Sequence, residues 1–399
     1  MKVMKNPIFY FKKTIFVSLY LLFYIKCLPA QQDTHFYKEK NYFLPQDSTL
    51  ELTEKTLYFN LYNPNYIKNN EYFSPFDIGV TYFVSQLQPS FLYHFTKNLQ
   101  IELGALAQLY YADNFFSHSF VHPIFRVNYR FHPTFLLTLG SLYGHFSHRW
   151  VEPLFSFDHA ILSPTEYGIQ LQHQSRFVEG EFYWRWKHQI LKTTLDQRET
   201  FEVGVRTEIK PLAKINSQFT FEIPISTYFQ HRGGQSDTLS TQPMMTLNNS
   251  DLALRFKYQN KNKKAFIQAV ILQNDFLSFH AFVDRLLPMR NGWGNYVSAQ
   301  LRTKYFNILA GYWKADHFFA PSGEALFSSI GQIPKQTVIF IAPKRSVITG
   351  KIDFYYKIFD HIYFLFNFGT YYHTDIRELD YYYGFALIIQ QRWRIKKWE

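Results

Sequence analysis

From about residue 53 to the C-terminus, segments of period-2 alternation are joined by connectors that are short and long in strict turn. Few folds accommodate that. In a strand successive side chains point to opposite faces, so alternation gives each segment one apolar and one polar surface. Thr200–Lys210 sets Phe201, Val203, Val205 and Ile209 against Glu202, Arg206, Glu208 and Lys210, and Glu181–Lys187 sets Phe182, Trp184 and Trp186 against Glu181, Arg185 and Lys187. Candidate strands fall near 53–62, 77–95, 98–112, 122–132, 134–146, 166–175, 178–190, 199–212, 217–230, 249–260, 264–274, 293–305, 306–317, 345–358, 362–374 and 380–396, sixteen in all. Short connectors (Lys97-Asn98, His132-Pro133, Ser175–Phe177, Ala213–Asn216, Asn260–Lys263, Tyr305-Phe306, Phe359–His361) alternate with longer ones at 63–76, 113–121, 147–165, 191–198, 231–248, 275–292 and 318–344, and a brief one near 375–379.

A soluble sandwich has no reason to place every long loop at one end. A transmembrane barrel does, with short periplasmic turns, long extracellular loops and an even number of strands. The expected fold is therefore all-β: an antiparallel up-and-down transmembrane β-barrel of about sixteen strands, closed because an unpaired edge in lipid leaves backbone groups unsatisfied. Composition agrees. Of 399 residues 20% are aromatic, yet mean hydropathy is −0.23, so apolar residues are interleaved rather than gathered into runs of about 20 that spanning helices need. Phe91, Tyr93, Phe95, Tyr305, Phe359, Tyr363 and Trp393 lie beside short turns, where an interfacial aromatic girdle is expected. Pro89 and Pro224 fall inside strands and suggest bulges, and Gln336–Ala342 suggests a hairpin within a loop.

The N-terminus reads as an export signal. Lys12 and Lys13 close a basic region, Thr14–Ile25 is an apolar core, and Leu28-Pro29-Ala30 precedes a cleavage point at Gln31. The expected organisation is a cleaved signal over 1–30, a polar periplasmic leader over 31–52 and a barrel over 53–399, located in the outer membrane. Cleavage removes Cys27, the single cysteine, and with it any disulfide or thiolate metal site. It also removes five lysines, lowering the formal charge from +11 to +6. The basic balance is then a weak pointer to nucleic acid, and no nucleic-acid partner is expected.

Much of the remaining charge falls on the polar strand faces. Fourteen bases stand there: Arg126, Arg130, Arg185, Lys187, Arg206, Lys210, Arg255, Lys257, Arg302, Lys304, Lys351, Lys357, Arg392 and Arg394, against six acids. A ring of bases inside a pore favours anions, so the first functional expectation is a porin-like channel passing or binding small hydrophilic solutes, anions among them, with no enzymatic activity and no cofactor or metal. The competing expectation puts the work in the loops, through Glu71, His148, Arg149, Glu152, His231 and Arg232, as a surface-binding protein or a lipid hydrolase. A Ser–His pair such as Ser117-His118 is the kind of element that acyl transfer uses. Outer-membrane lipid, lipopolysaccharide and the barrel-assembly machinery are the expected partners besides solutes.

The segments NNEYFSPF (69–76), LQPSFLY (87–93), HRWVEPLFSF (148–157) and QHRGGQSD (230–237) resemble those of uncharacterised, porin-like outer-membrane barrel proteins of Bacteroidetes-type bacteria. The resemblance implies an envelope location and a barrel, and assigns no activity to any residue.

Overall fold

The computed structural model describes residues 53–111, 119–189, 198–212, 218–233, 244–260, 267–281, 289–331 and 340–399. The signal and leader over 1–52 lie outside the described residues, as do Ser117, His118 and 336–339 of the suggested hairpin. Sixteen strands make one closed barrel. They are β1 (Thr56–Glu71), β2 (Thr81–Thr96), β3 (Leu99–Tyr110), β4 (Phe120–His132), β5 (Phe135–Ser141), β6 (Tyr167–Gln174), β7 (Val178–His188) and β8 (Thr200–Ile209). β9 (Phe219–Arg232), β10 (Met245–Gln259), β11 (Ile267–Ala281), β12 (Asn291–Thr303), β13 (Phe306–Asp316), β14 (Lys344–Phe359), β15 (Ile362–His373) and β16 (Glu378–Lys397) follow. Each pairs antiparallel with its neighbours in sequence, and β1 closes the sheet on β16 from Thr56↔Lys397 to Glu71↔Tyr381.

The expected strand count and closure stand. β1 is longer than its sequence suggests, because the stretch after Tyr62 looked too polar to be a wall. It nevertheless alternates: Pro64, Tyr66, Lys68 and Asn70 turn inward and are buried, while Asn63, Asn65, Asn69 and Glu71 turn outward. Neither proline makes a bulge. Pro89 stays in register with Leu61, and Pro224 with Glu208. The lost amide is absorbed by rungs missing on one side only.

Large apolar side chains cover the outer wall, with Phe125, Leu252, Leu301, Ile352 and Phe385 among those left exposed there. Contacting rings circle the short-turn end: Phe59 lies 5.2 Å from Phe91 and 5.6 Å from Trp393, Tyr93 lies 5.3 Å from Trp398, and Tyr305 lies 6.1 Å from Tyr356. This is the girdle expected from the sequence, except for Tyr363. That ring points into the barrel and stacks on Tyr355 at 5.6 Å.

The lumen is occupied. The fifth strand, expected to run to 146, stops at Ser141, and segment 142–166, of which 147–165 was expected as an extracellular loop, turns inward and carries a 3-10 turn (His145–His148) and a short helix α1 (Asp158–Leu162). Residues 317–331 turn inward beside it, joined through Ser156 N–H to Ser322 O (2.8 Å) and Glu324 N–H to Glu152 O (3.0 Å). Phe76, Leu154, Phe276, Trp313, Phe327 and Tyr371 form an apolar cluster between these segments and the wall. Trp313 is wholly buried and donates to Phe327 O at 3.0 Å. The terminal carbonyls of α1 have no partners within the helix. Gln86 and Gln108 of the wall supply them, to Ala160 O at 2.9 Å and Ile161 O at 2.7 Å.

Candidate functional site

Three features meet where β7, β8, β9 and β10 reach the long-loop end: an ionic chain inside the barrel, a basic cavity at its rim, and a polar cluster on its outer surface.

The ionic chain begins at His148. Its Nδ1 meets Glu181 Oε1 at 2.6 Å and its Nε2 meets Glu166 Oε2 at 2.8 Å. Only an imidazolium donates from both nitrogens. Burial by itself would push His148 down, but the Glu181 and Glu166 carboxylates outweigh it and lift the group to about 9. The ring stacks on Tyr183 at 4.0 Å. Tyr183 in turn lies across Gly204, where an added Cβ would fall 2.2 Å from the phenol ring. The chain continues from Glu166 to Arg185 and from Arg185 to Glu202, which also meets Lys187 at 3.0 Å and accepts from Tyr228. Tyr228 reaches Ser322 Oγ of the second inward segment at 2.8 Å.

Above this chain lies a cavity of about 310 Å³. Lys187, His188, Arg198, Thr200, Gln230 and Arg232 line it. None of its described lining residues is acidic.

On the outer wall, one residue removed, His231 and Thr246 face each other across the β9–β10 ladder. His231 Nδ1 lies 2.9 Å from Thr246 Oγ1. The imidazole packs beside Phe201 (5.3 Å) and parallel to Phe229 (6.5 Å), rings of the outward aromatic band that continues through Trp184. Below it on the same face, Asn248 donates to Thr227 Oγ1 at 3.0 Å, Thr227 and Ser250 hydroxyls lie 3.0 Å apart, and Ser250 reaches Asn248 Oδ1 at 3.1 Å. Uncharged hydroxyls and amides thus stand beside the aromatic band of Trp184, Phe201 and Phe229 on the same stretch of wall.

The sequence-derived bases are distributed around the inner face, most of them beside acids. Arg126 meets Glu102 at 2.6 Å, Arg255 meets Glu208 at 3.0 Å and Glu222 at 3.1 Å, and Arg206 pairs with Glu208. Lys351 pairs with Glu152, and Arg185 and Lys187 belong to the chain above. Arg130 reaches Pro133 O at 3.3 Å, Arg392 reaches Asn60 Oδ1 at 2.6 Å, and Arg302 stands opposite Asn307. Of the loop candidates, Arg149 meets Glu179 at 2.8 Å, Glu152 accepts from Tyr371, and Glu71 accepts from Asn69 Nδ2 at 2.5 Å on the outer wall. Only His231, Arg232 and Lys187 come together at the rim. Thr246 was missed because it sits in a stretch read as loop. The outward alternation Thr246, Asn248, Ser250 was the available signal.

A sixteen-strand outer-membrane barrel with a filled lumen and polar chemistry on its outer face is the class of protein this fold defines. Within that class, the chain belongs to the lipid A 3'-O-deacylase-type family, whose model matches residues 45–398. This corrects the expectation that the protein is not an enzyme, since the family is an enzyme family. The charge pattern that suggested a plain channel is a general property of barrel interiors and does not separate the two. No curated protein matches the chain. Among solved structures, OpdK of Pseudomonas aeruginosa with vanillate is similar at 8% identity and a TM-score of 0.47, over 85% of this chain and 100% of that one. OccAB3 of Acinetobacter baumannii is similar at 10% and 0.47, over 84% and 99%. A loop-deletion mutant of OmpT from Vibrio cholerae is similar at 10% and 0.45, over 84% and 99%.

Proposed function

We propose that the protein is an outer-membrane acyl-ester hydrolase of the lipid A deacylase type, working from its outer wall. The observation that carries this reading is the His231–Thr246 contact of 2.9 Å on the lipid-facing surface. A hydroxyl is a weak nucleophile until an adjacent base takes its proton. With its own proton on Nε2, His231 presents Nδ1 to the Thr246 hydroxyl as that base. Thr246 Oγ then attacks the ester carbonyl as its proton passes to Nδ1. The bond to the headgroup oxygen breaks, and that oxygen takes the proton from His231. Water, activated by the same imidazole, hydrolyses the threonyl ester and releases the fatty acid. Set in the aromatic band at the long-loop end, the pair lies at the interfacial depth where the ester bonds of outer-leaflet lipids lie, so no substrate need leave the membrane.

Passage of small anionic solutes finds less support, because most inner bases lie beside acids and two segments occupy the lumen. Planar-bilayer recordings of refolded protein are expected to show no steady ion-selective current, and such a current would restore the channel reading. The hydrolase reading is tested by mass spectrometry of lipid A-type substrates incubated with refolded protein. Release of an O-linked fatty acid is expected from wild type and from Thr246→Ser but not from Thr246→Ala or His231→Ala. Wild-type rates in both alanine variants would sink the assignment. We also infer export by a signal cleaved after Ala30, supported by the basic region and apolar core before it. N-terminal sequencing should then begin at Gln31.

A further inference from the structure

The two inward segments meet at one tight contact, 152–156 against 322–324. Besides the Ser156–Ser322 and Glu324–Glu152 backbone bonds, Ser156 Oγ donates to Glu324 Oε2 at 2.7 Å. The backbones approach so closely that a Cβ on Gly323 would fall 2.1 Å from Pro153 O. Glu324 sits at the centre of this contact, 5% exposed. Each segment keeps anchors of its own on the wall. Gln86 and Gln108 hold α1. Arg345 donates to Leu326 O at 2.9 Å and Ser328 O at 2.8 Å, and Asn249 donates to Phe319 O at 2.8 Å. The contact can therefore open without either segment leaving the wall.

The charges around Glu324 do not balance. Asp158 pairs with Lys68 and accepts from Asn70 Nδ2 at 2.7 Å, while Glu152 pairs with Lys351 and accepts from Tyr371. Lys68 is also held over the Tyr382 ring at 4.6 Å. Each lysine thus has its own carboxylate, and Glu324 is a third acid beside two bases. The other described groups that face it, Tyr72, Tyr82, Tyr371 and Tyr382, are phenols and supply no cation. A carboxylate buried beside two others is opposed by desolvation and by repulsion together. Burial first, then Asp158 and Glu152, push the Glu324 carboxyl up to about 8 against a pull from Lys68.

We propose that Glu324 is a proton-operated latch between the two inward segments: with its carboxyl protonated they close on each other, and with it ionised they part along 152–156 and 322–324. The latch lies inside the barrel and is independent of the chemistry on the outer wall. Once the contact opens, the carboxyl meets water and returns toward its ordinary 4.5. Its folded value is raised, so its support for the closed state is complete below about 4.5 and is lost as pH climbs to about 8. Each pH unit between those values shifts the ratio of open to closed by up to about tenfold. Asp77, in the loop after β1, is pushed up to about 6 by burial and senses the same Lys68–Asp158 pair. It titrates inside the same range, so a variant has to separate it from Glu324.

The test is hydrogen exchange of the refolded full chain in vesicles, read by mass spectrometry on peptides from 142–166 and 317–331. Wild type is compared with Glu324→Gln at the same pH, from pH 4 to pH 9, which cancels the intrinsic pH dependence of exchange. The amide keeps the shape of the side chain and the Ser156 bond but cannot ionise, and Asp77 and His148 are present in both proteins. Exchange in the two proteins should be nearly equal at pH 4. The wild-type excess should then grow by up to about tenfold per unit toward pH 8 and level off, in these two segments and not in the strands. A ratio that stays flat from pH 4 to pH 9 overturns the latch. So does an equal rise throughout the wall, which would mean a general loosening of the barrel. Glu152→Gln removes one repelling carboxylate, and it decides the matter alone if Glu324→Gln does not fold. Its exchange in 317–331 should climb less steeply with pH than that of wild type, and equal steepness refutes the proposal.

Discussion

The two faces of the same wall treat polar groups in opposite ways. Inside, charge is dense and most of it is answered: Arg126 by Glu102, Arg255 by Glu208 and Glu222, His148 by Glu166 and Glu181. Outside, at the top of β9 and β10, the polar groups are uncharged or weakly basic, and hydroxyls and amides stand in place of ions: His231 with Thr246, Asn248 with Thr227 and Ser250. Interior charges are many because a lumen packed with inward-folded segments must satisfy each buried ion. Polar groups facing lipid have no such task, since an apolar side chain there would be cheaper. Abundance of charge marks scaffolding here, and scarcity of polar groups marks the place where chemistry is expected.

The comparison breaks first at the outer pair. His231→Ala and Thr246→Ala should each lower the deacylation rate by about 10²- to 10⁴-fold, the usual range for losing a general base or its nucleophile. A heat-modifiability gel should still show a folded barrel. If instead the barrel fails to form, the outer pair is scaffold and the contrast between the faces is lost.

Next comes the inner chain. Arg185→Met leaves Glu166 and Glu202 facing each other without their shared cation, and unfolding in urea should be easier by about 3–5 kcal/mol. Activity on lipid should change far less than stability does.

The third probe is pH. His148 is held at about 9 against an ordinary 6.5. Its folded value is raised, so its contribution is complete below about 6.5 and is lost as pH climbs through 9. The size is roughly 3 kcal/mol, from about 1.4 kcal/mol for each pKa unit. Protease cleavage within 142–166 should therefore rise between pH 7 and 10, and His148→Gln should flatten that rise. A flat profile in the wild type would remove His148 as the lock.

The smallest effect belongs to the rim. Arg149 and Glu179 form a partly covered pair at the rim, with Glu179 also held by Lys210, and Arg149→Ala should cost about 1 kcal/mol. A larger loss would show that the inward segment hangs on its edge contacts and not on its buried ones.

How much of this was legible beforehand varies by residue. The inward set of bases follows from alternation alone, so Arg126, Arg185 and Arg255 were identifiable without a structure. Their acids were only partly so, since Glu166 lies just before β6 and enters the network because segment 142–166 turns inward. His231 and Arg232 stood out as a polar run, but Thr246 did not, being 15 residues further on with an unread connection between. The far reach of β1 was hidden by its asparagines, which read as loop until the register with β16 is known.

By itself, then, the sequence determined the barrel: sixteen strands, their inner and outer faces, and both ends of the sheet on the short-turn side. Those properties come from backbone geometry repeated every two residues and from connector length, both of which are local. Only the tertiary structure decided which long segments fill the lumen, which acid answers which base, and that a histidine and a threonine meet on the lipid side one residue from a basic hollow. Such pairings depend on ladder register and on loop course, and neither is written in any single stretch of chain.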